Sequence, residues 1–269
     1  MTGMKIFVTV KQVPDTSGKV AVKADGTLDR TSMKSITNLD DLNAVEAALR
    51  LKEQIGCKVI VVTMGPPAAS GMLRELMAMG ADESILITDR LFGGSDTFAT
   101  SQIIAAAIDH YGLDDEDAVF CGKQAIDGDT AQVGPQIAEK LHIPQITYAV
   151  RIEYSNHEFV VSRQTDDGFM RVKTKTPCLI TCIRELNTPR YMSVWGIEKC
   201  FEKPLSVYTY ETLKNHPLIE TDTIGLKGSP TNIYKSFTPP KKKDCVLLQG
   251  NETITVPELF GHLKTRHIL

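Results

Sequence analysis

Val119-Phe-Cys-Gly-Lys-Gln-Ala-Ile-Asp-Gly-Asp-Thr-Ala-Gln-Val-Gly-Pro-Gln-Ile-Ala-Glu139 runs through a short apolar strand, a polar loop and the start of a helix. The strand covers Val119 to Cys121, the loop Gly122 to Thr130, and the helix is expected over Ala131 to Leu141. A loop entering a helix in this way presents free backbone N–H groups, and the helix dipole favours an anion such as a phosphate there. Gly122 and Gly128 allow a ligand to approach the backbone closely. Asp127, Asp129, Thr130 and Gln132 can hydrogen-bond a ribose or cap the helix. Neither G-x-x-x-x-G-K-[ST] nor G-x-G-x-x-G is present. On polarity alone, a strand, a turn and a capped helix with no ligand accounts slightly better for the stretch.

The flanking sequence repeats the pattern. Lys5 to Val10 is a predicted strand, Leu42 to about Glu53 a helix with apolar residues at helical spacing, and Lys58 to Met64 a continuous apolar strand. Ala69 to Met79 is a helix stopped by Gly80, Ser84 to Thr88 a strand, and Thr97 to His110 a helix. Unbroken apolar strands alternating with helices of this length specify an α/β fold on a parallel sheet covered on both faces. Four loops follow strand C-termini: Thr9 to Asp15, Met64-Gly65-Pro-Pro67, Asp89 to Thr97, and Gly122 to Thr130. Ligands of open parallel sheets bind outside those ends. Either Ser95 or Thr97 could serve simply as an N-cap and Arg90 as a surface cation, but four such loops on one face weigh toward a nucleotide site.

After His142 the texture turns β-rich, with strands over 147–152, 158–164 and 169–174 and a last core strand from Leu179. Ala21 to Thr31 has the pattern of a small hairpin around Asp25-Gly26. Beyond Leu186 periodicity is lost and prolines recur, the signature of a tail that lies along a partner or is disordered. The expected division is 1–186 for the α/β nucleotide-binding domain and 187–269 for a recognition loop and C-terminal arm. The chain has 269 residues, 42% hydrophobic and 23% charged, with a net charge of −3. This balance argues for a soluble globular protein and against general nucleic-acid binding. No apolar run has membrane-spanning length and no signal-peptide pattern opens the chain, so a cytoplasmic location without membrane insertion is expected. The dispersed cysteines, Cys121, Cys178 and Cys182 in apolar strands among them, predict buried thiols rather than a metal set. No nucleophile or paired-carboxylate constellation is present, so no catalytic residue is assigned. A nucleotide site without acid–base apparatus points to a cofactor carrier.

Gly122-Lys-Gln-Ala-Ile-Asp-Gly-Asp-Thr-Ala-Gln-Val-Gly-Pro135 resembles the signature of the electron transfer flavoprotein β subunit. Val10-Lys-Gln-Val-Pro-Asp-Thr16, Asn38-Leu-Asp-Asp41, Ala78-Met-Gly-Ala-Asp82, Leu186-Asn-Thr-Pro-Arg-Tyr-Met-Ser193 and Gly228-Ser-Pro-Thr-Asn-Ile-Tyr-Lys-Ser-Phe-Thr-Pro-Pro240 are similar to the family as well, so the resemblance spans nearly the whole chain. It implies a parallel-sheet, adenine nucleotide α-hydrolase-like domain with a β-rich segment and an extended arm that embraces an α subunit. In one branch the β site holds AMP as a structural ligand. In the electron-bifurcating branch it holds FAD and exchanges hydride with NAD(H). Val13-Pro-Asp-Thr16 and Asp89-Arg-Leu-Phe-Gly-Gly-Ser-Asp-Thr-Phe-Ala-Thr-Ser101 resemble the bifurcating branch, although Leu91 and Gly93 stand where that branch often has alanine at one or the other.

Carried over by position, the resemblance implies that Thr9, Asn38, Asp40 and Asp41 line the adenosine pocket with Met64 and Gly65 beside it. Gly122, Lys123, Gln124, Ala125, Ile126, Asp127, Gly128, Asp129, Thr130, Ala131, Gln132 and Val133 wrap pyrophosphate and ribose. Arg90, Asp96, Thr97 and Thr100 reach the larger dinucleotide, with Gly93-Gly94 permitting its close approach. Tyr191, Met192, Val194 and Trp195 form the docking loop, in a stretch without secondary-structure pattern. The implied partners are the α subunit in a heterodimer, an acyl-CoA dehydrogenase-like enzyme or an FAD-dependent lactate dehydrogenase, and ferredoxin or flavodoxin.

Overall fold

A computed structural model describes residues 3–15, 35–231 and 245–269; the hairpin expected around Asp25-Gly26 lies outside them. Met1–Asn232 form one compact unit and Ile233–Leu269 a second.

In the first unit, β1 (Lys5–Thr9), β4 (Lys58–Met64), β5 (Glu83–Ile87), β6 (Ala118–Gly122) and β10 (Cys178–Cys182) are parallel and almost wholly buried. A short hairpin of β2 (Gln12–Pro14) and β3 (Ser35–Thr37) follows β1. The chain then doubles back through β7 (Gln145–Ser155), β8 (Glu158–Thr165) and β9 (Gly168–Lys175), and β11 (Leu205–Tyr208) completes the strands. The sheet order is β11-β5-β4-β1-β6-β10-β7-β8-β9. Alternate residues of the central strands enter opposite cores, because successive side chains point to opposite faces. Ile6, Val8, Val59 and Val61 pack with α1 (Leu39–Ile55) and α2 (Ser70–Met79), whereas Phe7, Ile60, Val62 and Val119 pack with α3 (Thr97–Tyr111) and α4 (Val133–Lys140). Cys57, Cys121, Cys178, Cys182 and Cys200 are buried free thiols, and burial pushes the Cys178 thiol up to about 12.

Besides shifts of a few residues at other ends, two helix starts and one region differ from expectation in ways that bear on the site and the core. α1 starts at Leu39 rather than Leu42, since Asn38-Leu-Asp-Asp is its first turn, where Asp40 and Asp41 suit the positive end of the dipole. α4 starts at Val133 rather than Ala131, because Ala131 sits at φ 52°, a left-handed backbone that interrupts a helix. Residues 187–231 return to the first unit. β11 pairs in parallel with β5, the short helix α5 (Val194–Lys199) packs on α2 and α6 (Tyr210–Leu213) on α3 at the other face of the sheet, and Leu213, Ile219 and Ile224 enter the core beside α3. Lys203 donates to Met77 O and Ala81 O at 2.8 and 2.7 Å and fixes the entry to β11. The second unit contains α7 (Glu252–Thr265), on which Ile254, Leu259 and Phe260 are exposed. No helix among the described residues is long and apolar enough to cross a membrane.

Candidate nucleotide site

β1 and β6 are neighbours whose following helices lie on opposite faces, α1 on one and α4 on the other. The strand ends diverge there, which leaves a crevice at the rim of the sheet. Gly122 closes its floor. A Cβ at Gly122 would stand 2.3 Å from Asp41 Oδ1 and 2.7 Å from the backbone of Asp40 and Asp41, so glycine alone lets the first turn of α1 lie against β6. Gly134 does the same for α4, where a Cβ would meet Cys121 Sγ at 2.6 Å.

Asp41 ties the two strand ends together. Its carboxylate accepts from Lys11 N at 2.8 Å and from Gly122 N at 3.1 Å. Burial pushes this carboxyl up to about 7 against the pull of those two amides and of Asn38. Asn38, wholly buried, is the N-cap residue of α1, yet its amide is spent across the crevice. Nδ2 donates to Gln124 O at 2.8 Å and Oδ1 accepts from Ile126 N at 3.1 Å. Burial also raises the carboxyl of Asp40, with the Lys123 cation opposing. Asp40 and Asp41 thus frame the loops, and Asp41 does so from inside the protein.

The loop from Lys123 to Gln132 is held at several points. Lys123 N donates to Cys182 O at 2.8 Å, Asp129 N to Ala125 O at 2.9 Å, and Gln124 Nε2 to Asp129 Oδ1 at 2.9 Å. Lys11 Nζ meets both oxygens of Asp127 at 2.7 and 2.8 Å. Asp129 and Ala131 have φ of 50° and 52°, conformations costly for non-glycine residues and concentrated at ligand sites. Gly128 differs from Gly122: a Cβ there meets nothing within 4 Å and its φ is ordinary, so packing does not require glycine at this position. Capping by Asp129 or Thr130, an open alternative in the sequence, does not occur. Gln132 is the N-cap of α4 and makes no side-chain cap bond. Pro135 carries no N–H, so the first turn of α4 leaves the N–H groups of Val133 and Gly134 without a side-chain cap, and Gln136 Oε1 is buried without a partner. Such a rim, with bare backbone donors, an open glycine and hydroxyl and carboxylate acceptors, fits the phosphates and ribose of an adenine nucleotide.

The opposite wall is the start of α3. Its N-cap is Asp96, which accepts from Ala99 N at 3.1 Å; Ser95 instead donates to Phe92 O and Thr97 donates to Gln132 Oε1 at 3.0 Å. Thr97 thus joins α3 to the loop. Asp96 also receives Thr231 N at 3.0 Å and Thr231 Oγ1 at 2.7 Å, while Ser229 Oγ accepts from Asp96 N. Despite the upward push of burial, those bonds hold the Asp96 carboxyl below the usual carboxylate range. Gly94 (φ +75°) lies against Leu226, and Leu226 N donates to Gly93 O. The bareness of Gly94 is used by the chain's own 224–229 segment rather than left open as expected. Arg90 is exposed in a one-turn helix capped by Asp89, and Thr100 is half-buried in the first turn of α3. Thr9 ends β1 and is buried, Met64 ends β4 half-buried, and Gly65 N donates to Ile87 O.

Lys11, Ser229 and Thr231 are the members of this network that the sequence reading left unassigned. Lys11 pairs with a residue 116 positions away, which only the strand order brings close.

The segment expected to dock runs into a short helix rather than remaining patternless, with Val194 and Trp195 in the helix and Tyr191 and Met192 before it. Ser193 caps α5 by accepting from Gly196 N, and a Cβ on Gly196 would stand 2.0 Å from Ala78 O. Tyr191, Val194 and Trp195 are 97%, 86% and 67% exposed, and Met192 is exposed beside them.

Residues 25–207 match the electron transfer flavoprotein domain family. The chain is 61% identical to acryloyl-CoA reductase electron transfer subunit gamma of Anaerotignum propionicum, covering 99% of this chain and all of that protein. It is 48% identical to electron transfer flavoprotein subunit beta of Clostridium acetobutylicum and 46% identical to the caffeyl-CoA reductase-Etf complex subunit CarD of Acetobacterium woodii, each over 99% of this chain and the whole relative.

Proposed function

The chain belongs to the electron transfer flavoprotein family, as a subunit of the β type, and from that premise we propose that its crevice binds FAD and that the protein exchanges electrons with NAD(H) in a bifurcating or confurcating complex. The observation that carries the reading is the rim between β1 and β6, where the uncapped start of α4, the open Gly128 and the Thr97–Gln132 link of α3 converge. When bound, FAD supplies the capacity to take up a hydride and release its two electrons singly.

The chain's own residues bind and orient. The first-turn N–H groups of α4 would hold the phosphates and Asp127 and Asp129 would accept from ribose hydroxyls, while Asn38 and Asp41 hold the loop that carries them. Thr97, Thr100 and Arg90 would hold the part of the dinucleotide that extends beyond the adenosine. Tyr191, Met192, Val194 and Trp195 offer the aromatic and sulfur surface that docking sites use. The relatives named as acyl-CoA reductase subunits favour an acyl-CoA dehydrogenase-like partner over a lactate dehydrogenase. Ferredoxin or flavodoxin takes the other electron, and the complex works in the cytoplasm. The exposed apolar face of α7 is the part of the arm that packs on the α subunit, so deleting 245–269 abolishes copurification.

The test is a nucleotide count on the purified αβ heterodimer, with stopped-flow mixing against NADH. Two FAD per heterodimer and rapid bleaching by NADH are expected. One FAD with one AMP sinks the proposal and makes the crevice a structural AMP site.

A further inference from the structure

We propose that the α1 residues Glu46 and Asn43 form a clasp that sets the docking loop in its partner-binding geometry, with Arg190 and Asn187 as the loop's half of it. The proposal rests on the docking reading given above for residues 191–195.

The contacts are specific and partly buried. Glu46 is only 3% exposed. Its Oε2 accepts from Arg190 Nε at 2.8 Å and from Arg190 N at 3.2 Å; its Oε1 accepts from Arg50 Nε at 2.7 Å and Arg190 Nη2 at 3.3 Å. Arg190 Nη1 reaches Glu53 as well. Asn43 Nδ2 donates to Asn187 O at 2.7 Å, and Asn187 Nδ2 returns a bond to Asn43 O at 2.9 Å. Burial disfavours the Glu46 charge, yet the arginine bonds prevail and hold its carboxyl below the usual range.

A surface ion pair contributes little to stability, and a buried carboxylate is costly unless paired. A carboxylate kept inside α1 and saturated by a loop arginine therefore specifies position. The far side of the loop is fixed independently. Arg74 donates to Cys200 O and Lys203 O, and Gly196 lies against Ala78 O. Between these anchors stand the exposed aromatic side chains of Tyr191 and Trp195. Apolar side chains in water would fold back onto the domain unless both ends of the segment were held. Ordering the segment beforehand also removes part of the entropy cost of docking.

The clasp shares α1 with the crevice but not its residues. Asn38 and Asp41 face the nucleotide loop, and Asn43 and Glu46 face the docking loop. Damage to the clasp should consequently change partner affinity and leave nucleotide content intact.

The experiment uses the αβ heterodimer, immobilised acyl-CoA dehydrogenase as the binding probe, and 2,6-dichlorophenolindophenol as a small electron acceptor that needs no docking. Arg190→Ala and Asn187→Ala are expected to weaken binding to the dehydrogenase by about tenfold or more, mostly through faster dissociation. They should raise KM for the dehydrogenase while kcat, dye reduction and nucleotide content stay at the wild-type level. Arg190→Lys, which keeps the cation, should recover part of the affinity. If Glu46→Gln alone proves unstable, the paired Glu46→Gln/Arg190→Gln variant removes both charges together. Trp195→Ala separates the two ideas. Should Trp195→Ala weaken binding while both clasp variants bind like wild type, the clasp is refuted. Should Trp195→Ala leave binding unchanged, the docking reading fails and the clasp falls with it.

Discussion

Replacing Gly122 with alanine probes how the crevice is built. The new methyl would stand 2.3 Å from Asp41 Oδ1 and 2.7 Å from the backbone of residues 40 and 41. Those neighbours are backbone and a carboxylate already held by two amides, so the first turn of α1 has to move away from β6 by about 1 Å. Overpacking of a tight core costs about 1–3 kcal/mol. Losing the Gly122 N to Asp41 bond costs about 1.5–3 kcal/mol, because the acceptor is charged and buried. One movement relieves the first while causing the second, so the combined cost is about 2–4 kcal/mol. At about 2–4 °C per kcal/mol for a unit of this size, the apparent Tm falls by roughly 4–16 °C. The displaced turn carries Asn38, which holds Gln124 and Ile126, so nucleotide affinity drops as well. Gly128→Ala is the control. Its methyl meets no protein atom within 4 Å, so Tm stays within the change of about 0.5 kcal/mol usual for surface sites, while nucleotide affinity falls. Calorimetry at fixed subunit and nucleotide concentration, with nucleotide release measured in parallel, reads both quantities. A Gly122→Ala heterodimer that melts within about 2 °C of wild type refutes the closure argument, and a Gly128→Ala heterodimer with undiminished affinity removes the ligand from this loop.

Two further outcomes follow from the carboxylates. Burial raises Asp41 from 3.8 to about 7, which at 1.36 kcal/mol per unit is about 4 kcal/mol. Because the folded state holds this proton more tightly, the contribution is full below about pH 4, is lost as pH rises to about 7, and is flat above. Asp41→Asn should therefore remove a downward slope from the apparent Tm between about pH 5 and 7, and an unchanged slope would show that Asp41 does not titrate there. Asp96→Ala removes the α3 cap and the anchor for Thr231, costing about 1–2 kcal/mol and raising amide exchange over residues 226–231. Unaltered exchange in that segment would mean that Asp96 does not hold it.

The parallel sheet was legible because its central strands are unbroken apolar runs: Lys58 to Met64 was read with both ends correct. Strand ends also reveal which loops share a rim, which groups Thr9, Arg90, Gly122 and Asp127 from the pattern alone, whereas Asn38 and Asp41 join them only through the family resemblance. The start of α1 was missed because Asn38-Leu-Asp-Asp has the composition of a turn. Its acidic residues favour the dipole, and Asp41 is buried, which polarity argues against. β11 escaped notice because a four-residue edge strand has too few positions to show a period, and its place depends on Lys203 finding two carbonyls of the α2 end. Leu213, Ile219 and Ile224 reach the core one at a time between turns, a mode of packing that leaves no repeat in the sequence.

The glycines separate packing from ligand binding. Gly122, Gly134 and Gly196 each lie where a methyl would strike another atom of the chain, at 2.3, 2.6 and 2.0 Å. They bring α1 to β6, α4 to β6 and α5 to α2, and the domain needs them whatever it binds. Gly128 has no such reason, and it sits between Asp127 and Asp129 in a loop that spends strain at Asp129 and Ala131 while leaving α4 uncapped. A chain selected only for stability would place a capping Ser or Asp at position 132, where substitution of a good cap by a poor one costs about 1 kcal/mol. A protein keeps such a cost when another molecule supplies the missing partner. The uncapped turn of α4, more than the glycine count, is what argues for an anionic ligand at this rim.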